Sequence, residues 1–93
     1  MVLGVLTVQL HIPASSSLKS KRSVIKSLKE RIRQRFNTSV AETGHHDKWQ
    51  LSEMVVVNAA GSRRLANQTL DSVLSFIESF NGVVVADYRL ELL

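Results

Sequence analysis

Residues 17–36 read SLKSKRSVIKSLKERIRQRF, and the rest of the chain is arranged around this stretch. Leu18, Ile25, Leu28, Ile32 and Phe36 recur at helical spacing and define one apolar face. Lys19, Arg22, Lys26, Lys29 and Arg33 are spaced 3, 4, 3 and 4 apart, which places five cations in a stripe on the opposite side. The stretch holds eight of the twelve Lys and Arg residues and one of the eight acids, a local charge of +7. The remainder, with four cations and seven acids, carries −3. Like charges at helical spacing repel and weaken the helix. A merely solvated helix face mixes Glu among its Lys, and here only Glu30 does so. The pattern points to a surface that receives anions.

Working outward, Val2 to Ile12 alternates as a strand. Val2, Gly4, Leu6, Val8, Leu10 and Ile12 face one way; Leu3, Val5, Thr7, Gln9 and His11 face the other. Pro13 stops the strand, and Ser16 or Ser17 caps the basic helix. After Asn37, residues 38–43 read as a second strand and 44–48 as a polar turn. Residues 49–60 read as a third strand. Both of its registers are apolar around Met54-Val55-Val56-Val57, so its facing stays open, and a bulge near Ser52 or Glu53 would shift its outer half. Gly61 and Ser62 open a second helix over 63–80, whose buried stripe is Ala66, Leu70, Val73, Leu74, Ile77 and Phe80. Asn81-Gly82 ends it. In the last strand, 83–92, Val84, Ala86, Tyr88, Leu90 and Leu92 are expected on one face, with Val83, Val85, Asp87, Arg89 and Glu91 on the other.

Strand, helix, strand, strand, helix, strand is an α+β order. Two right-handed strand-helix-strand units interleave into a ferredoxin-like βαββαβ fold, a four-stranded antiparallel sheet with two helices on one face. At 93 residues the chain reads as one such domain, spanning 1–93. The topology gathers His11, the triple serine, Lys19, Lys21, Arg22, Glu42, Asp47 and Lys48 at one end. The absence of cysteine excludes disulfides, thiol catalysis and thiolate metal sites and fits a reducing cytoplasm. The apolar N-terminus lacks a basic start and is too short to span a membrane, so a cytoplasmic protein without membrane contact is expected. A pI near 10.0 fits an acidic partner.

Leu18-Lys19 with Lys21-Arg22, then Val40-Ala41-Glu42, then Asp47, Trp49 and Gln50 form a combination that resembles the YlxP-like family of small bacterial proteins. The resemblance covers nearly the whole chain but is loose in the second helix, from which nothing is carried over. It implies a ferredoxin-like fold and a family of unknown function. Genes of that family often lie beside those of translation initiation and ribosome-maturation factors, which implies a role near ribosomal RNA.

Lys19, Lys21 and Arg22 at a helix start, continued by Lys26, Lys29 and Arg33, are the candidate phosphate-binding residues. Glu42 is expected to hold Arg22 or Lys21, with Arg favoured for its planar fork. Asp47 is expected to pair in the same region, and Trp49 to pack over the sheet edge. Adjacent His45 and His46 point apart on a turn, so no metal is expected, and no cofactor. No nucleophile pattern stands out, and the open sheet face shows no aromatic platform. The expected function is a noncatalytic RNA-binding protein linked to ribosome assembly or translation. The alternative is a homodimeric interaction or small-ligand module. Its open sheet face would carry Leu3, Val5, Val83 and Val85, with Met54 or Val56 added.

Overall fold

In the computed structural model, which describes residues 1–93, the apolar alternation of the first strand is covered by the second helix, while the first helix lies over the second strand and against the second helix. The elements are β1 (Val2–His11), α1 (Leu18–Arg35), β2 (Ser39–Gly44), β3 (Leu51–Ala60), α2 (Arg63–Ser79) and β4 (Val84–Leu92). The strands form one sheet in the order β2-β3-β1-β4, with every neighbouring pair antiparallel. This is the ferredoxin-like α+β fold.

The core is a single layer between sheet and helices. Leu6, Val8 and Leu10 of β1 and Met54 and Val56 of β3 meet Ile25, Leu28 and Ile32 of α1 and Leu70, Val73 and Ile77 of α2. Gly4 lets α2 approach β1, since a Cβ there would lie 2.6 Å from Leu70 Cδ1.

Strand facing departs from the expectation at two places. Met54 and Val56 are 0% exposed beneath the helices, so the open face of β3 carries Val55 and Val57 instead. In β4 the pairing steps from Gln9–Asp87 to Leu10–Val85, leaving Ala86 as an extra residue. One inserted residue reverses the alternation of everything beyond it. Val83 and Val85 therefore join the helix side, and Val84 lies on the open face opposite His11. A bulge near Ser52 or Glu53 would have shifted the outer half of β3, but the irregularity is on its partner: Glu42 pairs with Met54 and Gly44 with Glu53, so Thr43 of β2 is the extra residue.

Candidate nucleic-acid interface

α1 starts where the Ser17 hydroxyl accepts the Ser20 backbone N–H at 3.0 Å. Its outer face presents Lys19, Arg22, Lys26 and Arg33 in solvent, with Lys29 half-buried. The structure has two ion pairs, Lys21–Glu42 and Arg89–Glu91, and neither uses a stripe cation. Arg33 is partly engaged, donating from Nη2 to the Val40 carbonyl at 2.8 Å.

Lys21 does not belong to that surface. Its side chain is 0% exposed, and its Nζ reaches Glu42 Oε2 at 3.1 Å, the His45 carbonyl at 2.7 Å and the Leu51 carbonyl at 3.1 Å. All three ammonium donors are satisfied, and none remains for a phosphate. This corrects the placement of Lys21 among the phosphate-binding residues. It also gives the Glu42 partnership to Lys21, whereas Arg22 is exposed without a carboxylate partner. Helical phase is the reason. Lys21, Ile25, Leu28 and Ile32 share the inward face of α1, and Arg22 sits one residue further round. A long stem lets the lysine cross the apolar layer and deliver its charge to the sheet end.

Glu42 is buried enough to raise the pKa of its carboxyl, but the Ser52 hydroxyl at 2.7 Å and the Lys21 ammonium outweigh that and hold it below the ordinary carboxylate range. Glu53, on the open face, is also lowered, by hydrogen bonds from the Thr43 hydroxyl at 2.6 Å and Gln9 Nε2 at 2.7 Å.

The β2–β3 hairpin is fastened from below. His45 adopts φ 60°, a left-handed conformation that turns its carbonyl to both Lys21 Nζ and the Lys48 N–H. Gln50 Nε2 donates to the Pro13 and Ser15 carbonyls at 3.3 and 3.2 Å, and the Ile12 N–H donates to the Gln50 carbonyl at 2.8 Å. Between these ties Trp49 stays 56% exposed. Packing over the sheet edge does not account for it. Asp47 is exposed and makes no ion pair or side-chain hydrogen bond, so it does not anchor the basic helix start. His46 Nε2 meets the Glu42 carbonyl at 3.2 Å, and no three His, Asp or Glu side chains converge as metal ligands.

A concavity of about 490 Å³ opens beside Trp49, lined also by His11, Lys48, Gln50 and Leu51. Another, of about 540 Å³, runs between α1 and α2, where Arg35 lies over the rings of Phe36 and Phe76 at 5.8 and 5.3 Å.

The sequence profile of a family described as "Protein of unknown function (DUF503)" matches residues 3–90. The chain belongs to the DUF503 family. It is 38% identical over 66 residues to "Uncharacterized protein YlxP" of Bacillus subtilis (strain 168), a match covering 71% of this chain and 72% of that protein. Among solved structures it is similar to the "De novo designed protein Foldit4", with a TM-score of 0.54 and 11% identity over 98% of this chain and 96% of that one. That likeness shows the fold alone. No helix of this DUF503 chain is long and apolar enough to cross a membrane.

Two features of the DUF503 site escaped the sequence reading. Lys21 had a signal: the apolar face jumps from Leu18 to Ile25, and residue 21 fills the missing inward position. Trp49 had none, because its exposure follows from hydrogen bonds that fix the loop around it.

Proposed function

We propose that this chain is a noncatalytic RNA-binding protein of ribosome assembly or translation, working in the cytoplasm. It contacts phosphates through Lys19, Arg22, Lys26, Lys29 and Arg33. The observation that carries this reading is that none of these five cations on one face of α1 makes an ion pair with a protein carboxylate. Unpaired like charges that close are destabilising on their own, and a polyanion relieves them. Contacts of this kind give affinity and orientation without sequence choice. Crosslinking in cells, followed by identification of what is bound, tests it. Structured RNA is expected, and recovery of protein partners alone overturns it.

A second reading has its own observation. The centre of the open sheet face holds Leu3, Val5, Val55 and Val57 side by side across β1 and β3, with Ala41 and Ala59 flanking. An apolar patch of this kind fits a second copy of the chain, giving a homodimer.

A further inference from the structure

The end of the open face nearest the hairpin differs from its centre. Leu51, His11 and Val84 are direct partners across β3, β1 and β4, so their side chains lie in one row on one face. Trp49 stands at the corner of that row, beside the concavity that it shares with His11, Lys48, Gln50 and Leu51. Leu51, Val84 and Trp49 are all large apolar side chains left open to solvent, and Trp49 is the chain's one tryptophan. The backbone under Trp49 is fixed by Lys21 below, by the Lys48–His45 turn and by both ends of Gln50. With the backbone around it fixed, only the two side-chain torsions of Trp49 remain to be ordered when a ligand arrives, a small cost for a large aromatic surface.

Charge selects the ligand. Lys48, exposed in the turn before Trp49, lines the same concavity. The next row inward, about 7 Å along the strands, is Glu53, Gln9 and Asp87. Two carboxylates there repel a phosphate and accept from amino groups. The shelf thus suits a flat, uncharged ring whose inner edge donates and whose outer side carries negative charge toward Lys48. We propose that Trp49, His11, Leu51 and Val84 form a stacking shelf for an unpaired, amino-bearing nucleobase (adenine, guanine or cytosine rather than uracil) of single-stranded RNA. This rests on the RNA-binding reading above. The start of the cationic face lies at the same end of the domain as the shelf, because Lys21, between Lys19 and Arg22 on α1, is tied to the hairpin that bears Trp49. The duplex part of a structured RNA lies on α1, and a strand leaving it passes the hairpin and sets a base on the shelf.

The test uses a labelled RNA hairpin with a blunt stem, the same hairpin with a short adenine tail, and one with a uracil tail. Anisotropy reports binding, and the emission of Trp49 reports stacking. The adenine tail is expected to tighten binding roughly tenfold over the blunt stem, with quenched emission and a smaller gain for uracil. Trp49→Ala removes the gain and leaves blunt-stem binding unchanged; Trp49→Phe keeps part of it. If the blunt stem binds in a salt-dependent way but neither tail changes affinity or emission, the shelf is overturned and the helix surface stands. Equal gains for adenine and uracil overturn the choice of base. If no hairpin binds, both proposals fall. Emission that changes with protein concentration alone assigns the shelf to a second copy of the chain.

Discussion

Glu42→Ala removes one of the three partners of Lys21 Nζ and leaves a fully buried ammonium on the His45 and Leu51 carbonyls. Breaking a buried ion pair on one side costs about 3–5 kcal/mol, because the remaining charge is stranded. Two facts move the expectation to the bottom of that range and below it. The Glu42 side chain is 13% exposed, so water reaches the hole. Two of the three donors also keep carbonyl partners. A loss of about 2–3 kcal/mol follows, a large share of a stability that is typically ~5–15 kcal/mol. Lys21→Met keeps the stem and deletes the charge. Glu42 then retains the Ser52 hydroxyl at 2.7 Å, and the loss is about 1–2 kcal/mol. The double variant Lys21→Met/Glu42→Ala strands no ion, so its loss falls short of the sum of the two single losses by about 1–2 kcal/mol. Urea unfolding at neutral pH measures all three, with Glu91→Ala in the exposed Arg89–Glu91 pair as a control expected near ~0–1 kcal/mol. A Glu42→Ala loss no larger than that of Glu91→Ala, or strict additivity in the double variant, refutes the buried-lock account.

Two further outcomes are expected. The folded-state pKa of Glu42 lies below its ordinary value of 4.5, so its contribution to stability is fully present above about that pH and disappears as pH falls through the folded value. Urea midpoints should drop on acidification below that point, and Glu42→Gln should flatten the drop; an unchanged acid profile in that variant sinks the assignment. Sedimentation should show a dimer at protein concentrations on the order of tens of micromolar, which Val5→Glu disrupts without unfolding the domain. A monomer at that concentration counts against the open-face interface.

The helices and the order of elements along the chain were legible because their signals are local. Ser17, the spacing of Ile25, Leu28 and Ile32, and the Asn81-Gly82 stop need no tertiary contact to be read. The element ends differ from expectation by one or two residues, where caps and bulges decide. Strand facing failed where periodicity is silent. Met54-Val55-Val56-Val57 is apolar in both registers, and the extra residue Ala86 reverses β4 by a backbone irregularity with no glycine or proline to announce it. The interface was legible as a charge pattern only. That pattern treats Lys21 and Arg22 alike, while one position of helical phase sends the first into the core and leaves the second in water. Trp49 was expected to pack over the sheet edge, and its exposure could not be read, since it depends on Gln50 and Lys21 bonding to carbonyls far away in sequence.

In the proposed mode of binding, the outer face of α1 holds RNA by its phosphates. Arg22, Lys26 and Lys29 carry no ion pair, and none serves the fold as Lys21 or Arg33 does. The most direct measurement is therefore the salt dependence of RNA affinity for the protein and for the Arg22→Gln/Lys26→Gln/Lys29→Gln variant. With about four phosphates in contact, log affinity should fall against log salt with a slope of about −3, and the variant should flatten it to about −1 while unfolding in urea as the parent does. A parent slope near zero, or the same slope in both proteins, contradicts the account.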